Sequence, residues 1–262
     1  MSINKKIVLK FGGSVLHSPA DFDGIYQEIK RYVDTGYKVV AVVSAYFGVT
    51  ESLVATAKSK QLSSNEVAYA ELISSGEFKS ASQLVTHLLD HGLPACKRRP
   101  AELGFVAKGK RAAAYPISLD AQKLLNAFEH SSVVVVPGFS AIDEHGDYVL
   151  LGRGGSDISA VCIAQALSLD SVRLIKDVDG LYDHDPNKFA SAKRLAYVSY
   201  QTAKAIGGEL IQPEAIDFAA QKNIFIDVSA IGHRFYSRIG YTKTSAFSNR
   251  QAEELNSPIS LP

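Results

Sequence analysis

The sequence of 262 residues has no tryptophan, one methionine and two cysteines. Cys96 and Cys162 lie far apart, without Cys-x-x-Cys spacing, so the sequence supports neither a disulfide framework nor a cysteine-based zinc site. We expect both thiols to be reduced, and Cys162, within an apolar helical pattern, to lie in the core. The seven histidines show no ligand-spaced cluster, so we predict no metal site from them.

Long hydrophobic runs and an excess of one charge sign are also missing. No apolar stretch approaches the roughly 20 residues that span a bilayer. The first six residues lead directly into a strand-like segment without the pattern of a secretory signal, so we expect a cytoplasmic protein. The net charge is +1, which favours neither nucleic acid nor an anionic membrane as partner. We therefore expect a small-molecule partner, with no nucleic acid and no membrane.

Short apolar runs alternate with longer amphipathic segments along the chain. This alternation predicts an α/β fold with a largely parallel sheet covered by helices on both faces. Ligands in such sheets bind beyond the carboxyl ends of the strands. We expect a lobe boundary near Pro137-Gly138 and an irregular tail over 245–262. The predicted strands are 7–11, 38–44, 133–136, 172–177 and 224–229; the predicted helices are 21–35, 65–91 with a break near Ser75-Gly76, 118–130, 156–168 and 213–223.

Two glycine-rich loops suggest anion binding. Lys10-Phe-Gly-Gly-Ser14 follows a predicted strand, where glycines let backbone N–H groups approach an anion beside a lysine. A plain tight turn also explains this pattern, and its spacing is neither a Walker loop nor a dinucleotide fingerprint. Leu151-Gly-Arg-Gly-Gly-Ser-Asp157 is more specific, because a helix cap explains the acid but not an arginine between glycines. An arginine fork at a helix start suits a carboxylate or a phosphate.

Three further charged segments have simpler alternatives. Residues 176–186 place several acids and a glycine after a buried strand. These acids suit ribose hydroxyls or a hydrated metal, and they equally suit Asx-turns. The basic runs 97–99 and 108–111 are predicted to be solvated turns rather than anion sites.

Taken in order, five segments resemble the amino acid kinase family, and within it the catalytic domain of aspartokinases. The resemblance covers the chain to about Val228. It implies a three-layer α/β/α sandwich with a mostly parallel central sheet, an acceptor lobe over 1–137 and a nucleotide lobe over 138–244. It also implies ATP, Mg²⁺, an amino-acid substrate, a homodimer and a place in amino-acid biosynthesis. The matching segments are 10–14, 43–50, 74–77, 138–139 with 152–157, and 177–186.

The resemblance also implies roles for single residues. Lys10 contacts the transferring phosphoryl group, Glu77 meets the substrate ammonium and Arg153 meets its α-carboxylate. Ser156 and Asp157 position the reacting groups and the lysine. A substrate carboxylate is already ionised at pH 7, so catalysis needs positioning and charge neutralisation rather than a base, and the product is an acyl phosphate.

The sequence departs from the family pattern at several points. Leu150 stands where a threonine hydroxyl is expected, which leaves the acceptor as aspartate or a close analogue. Glu209 replaces a lysine that neutralises the phosphates, so we predict that Lys176 or Lys204 supplies that charge. The segment between Thr50 and Glu77 is short for the family, and the paired regulatory ACT module is not expected.

The candidate residues follow from these segments, and two other functions stay open. One is a catalytically weak paralogue that binds nucleotide or amino acid as a partner; the other is a kinase for another small acid. The catalytic candidates are Lys10, Asp157 and Lys176; the acceptor candidates are Ser44, Ala45, Thr50, Glu77, Phe139, Arg153 and Ser156; the nucleotide candidates are Gly12, Gly13, Ser14, Asp177, Tyr182 and Asp185.

Overall fold

Thirteen strands form two sheets in the computed structural model, which describes residues 5–62, 65–186, 188–208, 210–241 and 243–247. The strands are β1 (Lys5–Phe11), β2 (Tyr37–Val43), β3 (Ala95–Lys97), β4 (Val106–Lys110), β5 (Ala113–Ser118), β6 (Val133–Pro137), β7 (Ser140–Ile142), β8 (Tyr148–Leu150), β9 (Ser171–Lys176), β10 (Leu195–Ser199), β11 (Phe225–Ala230), β12 (Ser237–Tyr241) and β13 (Ser245–Ala246).

The larger sheet has the order β13-β10-β12-β11-β9-β1-β2-β6-β3. Neighbouring strands from β11 to β3 are all parallel, and β11–β12 and β10–β13 are antiparallel. The smaller sheet has the order β5-β4-β7-β8. Both predicted lobes contribute strands to the one large sheet, in which β1 lies between β2 and β9; the lobe boundary itself stays a prediction.

Helices cover both faces of the large sheet. They are α1 (Phe22–Asp34), α2 (Val49–Ser59), α3 (Glu66–Asp90), α4 (Ala121–Ala127), α5 (Gly155–Ala166), α6 (Tyr200–Ile206) and α7 (Pro213–Lys222). No helix among the described residues is both long and apolar enough to cross a membrane.

The hydrophobic core has two layers, one on each face of the large sheet, because successive side chains of β1 point to opposite faces. Leu9 and Phe11 point to one face and pack with Ile25 of α1 and Leu84 of α3. Val8 points to the other face and belongs to the cluster that contains α5 and α7. The α/β/α sandwich with a mostly parallel sheet is thus confirmed.

The five predicted strands are confirmed to within two residues at either end, and the helices over 21–35, 65–91, 156–168 and 213–223 are confirmed equally closely. The helix predicted over 118–130 is shorter, because Ser118 ends β5 and the Asp120 carboxylate caps α4 by accepting from Gln122 N–H at 2.9 Å. Cys162 is buried in α5, as predicted, and burial raises the pKa of its thiol to about 12.

The predicted break in the long helix was wrong. Residues Glu66–Asp90 form one continuous helix through Gly76. A Cβ on Gly76 would lie 2.9 Å from the Ala45 Cβ. The glycine therefore permits close packing of α3 against the loop after β2, and it does not end the helix.

The basic runs and the tail also differ from prediction. Lys97 ends β3, which pairs with β6, and residues 108–110 lie in β4, so the turn prediction was wrong for these four residues; 108–110 are nevertheless exposed, and Arg98, Arg99 and Arg111 lie outside the strands. Ser245–Ala246 pairs with β10 and therefore belongs to the sheet. Residues 248–262 of the predicted tail lie outside the described residues.

Candidate functional site

Two buried lysines lie on the same face of the large sheet. Lys10 is the next residue after Leu9 on β1 and pairs in register with Leu174 of β9. Lys176 lies two residues beyond Leu174, so both ammonium groups face the layer that contains α5. Asp157, in the first turn of α5, lies between them.

The three side chains form a lysine–aspartate cluster (Lys10, Asp157 and Lys176). Lys10 Nζ lies 2.6 Å from Asp157 Oδ1, and Lys176 Nζ lies 3.6 Å from Oδ2. Each residue is at most 7% exposed. Burial opposes ionisation of Asp157, but the two ammonium groups hold the pKa of its carboxyl below the usual range. Burial lowers the pKa of Lys176 to about 8, against the attraction of Asp157.

The first glycine loop continues from β1 directly beside this cluster. A Cβ on Gly12 would lie 2.9 Å from Lys10 Nζ, so glycine leaves room for the lysine to fold across the loop. Gly13 and Ser14 begin a short 3-10 helix, Gly13–Val15. Ser44 N–H donates to the Phe11 carbonyl at 3.1 Å, which joins the carboxyl ends of β1 and β2.

The second glycine loop sets the start of α5 against the end of β6. Gly154 caps α5 with a φ of 69°, a left-handed conformation that suits glycine, and no side chain caps the helix. A Cβ on Gly138 would lie 2.9 Å from the Ser156 Cβ. This close approach brings the amino end of α5 to the carboxyl edge of the sheet, where its N–H groups and partial positive charge favour an anion.

Glu77 is a buried acid on α3 whose carboxyl is influenced by the charge of Lys10. It is 2% exposed, and its carboxylate accepts from the Ala45 backbone N–H while Oε2 has no hydrogen-bond partner among the described residues. Burial raises the pKa of this carboxyl to about 7, although Ala45 N–H and the positive charge of Lys10 oppose the shift. An unpartnered buried carboxylate oxygen is a suitable acceptor for a ligand cation.

Replacing Glu77 by glutamine is expected to remove a pH-dependent loss of stability. Below pH 4.5 the carboxyl is protonated in both states; as the pH rises towards 7, the unfolded chain ionises while the folded chain keeps its proton. The wild type therefore loses up to about 3 kcal/mol relative to Glu77→Gln between pH 4.5 and 8. Urea unfolding of both proteins at pH 5 and pH 8 measures this difference.

Glu71→Gln, an exposed change on the same helix, is the control. An equal difference in stability between the wild type and Glu77→Gln at both pH values would contradict the prediction.

The other acceptor candidates lie around this region with varied exposure. Thr50 is half-buried near the start of α2, and Phe139 lies half-buried after β6 with a φ of 70°. Phe139 N–H donates to Ser159 Oγ at 3.1 Å. Arg153 is exposed in the turn before α5, and no contact between described residues links it to Glu77, so their convergence on one substrate stays a prediction.

The nucleotide candidates after β9 differ in burial, since Asp177 and Asp185 are exposed and Tyr182 is half-buried. Asp177 is exposed directly after Lys176. Tyr182 is half-buried, and its hydroxyl donates to Asp179 Oδ1 at 2.9 Å, so it also stabilises the loop. Asp185 is exposed at the start of a turn and lies 3.3 Å from the Lys188 ammonium.

Lys176 and Lys204 were predicted to supply the positive charge that is lost where Glu209 replaces a lysine. The two have different surroundings. Lys176 contacts the Asp157 carboxylate, whereas Lys204 on α6 forms an exposed ion pair with Asp217 on α7 at 2.8 Å. Glu209, the departure that motivated this prediction, lies outside the described residues. Which of the two supplies the missing charge stays a prediction; Lys176 alone of the two belongs to the lysine–aspartate cluster.

Two supporting serines were missed in the sequence. Ser80, one turn after Glu77 on α3, donates to the Ser44 carbonyl at 2.7 Å and fixes the loop after β2. Ser159 accepts from Phe139 N–H and donates to the Gly155 carbonyl at 2.9 Å. Their spacing from Glu77 and Ser156, three residues in each case, was the available signal.

The chain is similar to known proteins over most of its length. The model of the amino acid kinase family matches residues 5–228. The chain belongs to this family. It is aspartokinase-like, since an aspartate kinase of Stutzerimonas stutzeri is 32% identical over 223 residues, covering 83% of this chain and 54% of that relative. This amino acid kinase domain thus spans about half the length of that relative.

Solved structures agree with the fold of this amino acid kinase domain. An aspartate kinase from Synechocystis aligns with a TM-score of 0.76 at 29% identity, over 92% of this chain and 42% of that one. Aspartokinase III of E. coli, solved with aspartate and ADP, aligns with a TM-score of 0.76 at 21% identity, over 94% of this chain and 66% of that one.

Proposed function

We propose that the protein transfers the γ-phosphoryl group of ATP to the side-chain carboxylate of L-aspartate or a close amino-acid analogue. The observation that carries this proposal is the buried lysine–aspartate cluster beside the first glycine loop, at the carboxyl edge of the sheet. The aspartate and ADP bound to the E. coli relative support the same pair of ligands.

The cluster suits phosphoryl transfer to a carboxylate. The acceptor is already ionised at neutral pH, so the protein has to position it and neutralise charge on the transferring group. Lys10 and Lys176 supply two ammonium groups, and Asp157 holds both in place. The uncapped start of α5 adds backbone N–H donors on the same side.

The acceptor side suits a zwitterion. Glu77 offers a buried carboxylate oxygen without a partner, which an α-ammonium group would satisfy. A bound cation lowers the pKa of Glu77, so substrate binding would keep this carboxylate ionised. Arg153, exposed before α5, is the predicted partner of the α-carboxylate.

In this proposal the nucleotide and Mg²⁺ bind in the region after β9. Asp177 is an exposed carboxylate directly after β9, and carboxylate oxygens together with phosphate oxygens and water are the ligands that Mg²⁺ prefers. Bound Mg²⁺ neutralises phosphate charge. Gly12, Gly13 and Ser14 line the phosphate path in this proposal, and Tyr182 and Asp185 border the nucleotide.

A different small acid as acceptor is the second candidate function. Leu150 is 3% exposed and packs in an apolar cluster with Ile73 of α3, four residues before Glu77. It offers no hydroxyl to a substrate, and the loss of one such bond relaxes discrimination between acceptors. The structure therefore supports testing analogues beside aspartate.

The test is ADP release with Mg-ATP across L-aspartate, L-glutamate and their N-acylated and hydroxylated analogues, with hydroxylamine to trap an acyl phosphate. Hydroxamate from aspartate supports the leading proposal, and hydroxamate from an analogue alone supports the second candidate. Nucleotide binding without turnover on any acceptor would contradict both and favour a catalytically weak partner protein. Light scattering tests the predicted homodimer.

A further inference from the structure

Three potential metal ligands meet on the face of the sheet away from the lysine–aspartate cluster. His87 and His91 lie one turn apart on α3, and Asp23 lies in the first turn of α1. One ligand atom of each lies within 4.8 Å of the other two. The expectation that no histidines have ligand spacing was wrong, because i,i+4 histidines share one helix face and their third partner is distant in sequence.

His87 is partly buried and lacks a hydrogen-bond partner for one ring nitrogen. Its Nε2 lies 3.2 Å from Asp23 Oδ1, but it has no hydrogen bond among the described residues. Two ligands on a tetrahedral ion with bonds of about 2.0–2.1 Å are separated by about 3.3 Å. The 3.2 Å distance from His87 Nε2 to Asp23 Oδ1 is close to that separation, although a protonated imidazole paired with a carboxylate has the same length. The buried nitrogen makes no hydrogen bond to any described residue, and a metal ion would satisfy it.

His91 has its second nitrogen free for a ligand. Its Nδ1 lies 2.8 Å from the His87 carbonyl oxygen, which can only accept, so Nδ1 carries the proton and donates. In the neutral ring the lone pair is then on Nε2. A backbone carbonyl that fixes the tautomer in this way is the usual outer partner of a metal-bound histidine.

Aromatic side chains hold both imidazoles in place. The Phe22 ring lies 5.7 Å from the His87 ring, and the Tyr26 ring lies 5.0 Å from the His91 ring, between centroids. The two imidazoles themselves are 4.2 Å apart and tilted by 32°. The ligand geometry is therefore partly formed before a metal binds, which reduces the ordering that binding requires.

We propose that Asp23, His87 and His91 bind one divalent transition-metal ion of the zinc class. Two imidazole nitrogens and a carboxylate oxygen favour Zn²⁺, Co²⁺, Ni²⁺ or Cu²⁺ over Mg²⁺ and Ca²⁺, which prefer oxygen ligands. Three protein ligands leave a fourth position for water. Asp23 is 79% exposed in its side chain, so the ion reaches the site from solvent.

The site joins α1 to α3 and is separate from the proposed chemistry. His87 lies ten residues after Glu77 on α3, about 15 Å along the helix axis. A bound ion therefore acts as a cross-link between two helices of one layer. It stabilises the folded state by mass action, since the three ligands come together only on folding.

The test uses the full chain, treated with EDTA and dialysed, then titrated with Co²⁺ and Zn²⁺. We expect one equivalent of Co²⁺ to give the visible absorption of a tetrahedral nitrogen and oxygen site, displaced by Zn²⁺. At a hundredfold excess over Kd, Zn²⁺ should raise Tm by roughly 5–10 °C. His91→Ala and Asp23→Ala, both exposed positions, should each weaken binding at least tenfold and leave the Tm in EDTA within about 2 °C of wild type.

His145→Ala is the matched control, because His145 is an exposed histidine in the turn between β7 and β8. It should bind Co²⁺ and Zn²⁺ as the wild type does. Co²⁺ held elsewhere, for example by Asp177, would bind wild type and His91→Ala equally. Equal affinity of those two proteins, or no binding by wild type at 100 μM metal, would overturn the proposal.

Discussion

Replacing Asp157 by alanine is expected to lower the free energy of unfolding by about 3–5 kcal/mol at pH 7. The change leaves Lys10 and Lys176 buried on the same face of the sheet without their shared counter-charge. Two unpaired ammonium groups also repel each other in a region that excludes water. Urea unfolding followed by circular dichroism measures the change.

Two further proteins separate this effect from the loss of packing. Asp157→Ala with Lys176→Met removes one of the stranded charges, so we expect it to recover at least 1 kcal/mol of the loss. Asp217→Ala breaks the exposed ion pair with Lys204 and should change stability by less than about 1 kcal/mol. If the double variant is no more stable than Asp157→Ala, the loss comes from packing and the charge argument is wrong.

The five central strands of the large sheet, β11-β9-β1-β2-β6, could be predicted, because their buried runs have clear periodicity. The outer strands β3, β10, β12 and β13 and the short elements could not. Strand β8 has three residues, and its pairing with β7 depends on contacts distant in sequence. Helix α2 begins at Val49 after Gly48, whose φ of 75° was not evident in the sequence. Local signals are weak for such elements, and tertiary context decides them.

The candidate site, like the fold, could be predicted from the sequence only in part. The motifs identified Lys10 and Asp157 one by one, and strand alternation explains why Lys10 and Lys176 share a face once the register of β1 and β9 is known. Their contact with Asp157 depends on where α5 lies, which periodicity does not determine. The helix break predicted near Ser75-Gly76 was wrong, because close packing of Gly76 against Ala45 explains the glycine.

Replacing Lys176 by methionine is expected to lower kcat by about 10²–10³, if the protein transfers phosphoryl groups as proposed. The loss of one preorganised positive group that faces developing charge has this magnitude. Methionine keeps much of the length of the side chain while removing its charge. Hydroxamate formation with the best acceptor, at saturating ATP, measures the change after correction for the folded fraction.

Lys204→Met is the matched control, because Lys204 forms an exposed pair with Asp217. This variant should have a kcat within twofold of the wild type.

The pH profile gives a second readout. Burial lowers the pKa of Lys176 to about 8 in the protein without ligands, so kcat/KM of the wild type, which reports groups of the free protein, should fall as the pH rises through 8 and the ammonium loses its proton. The Lys176→Met protein has no such group to titrate, and its profile should be flatter there. Unchanged kcat in Lys176→Met together with a large loss in Lys204→Met would reverse the assignment and place the needed charge on α6.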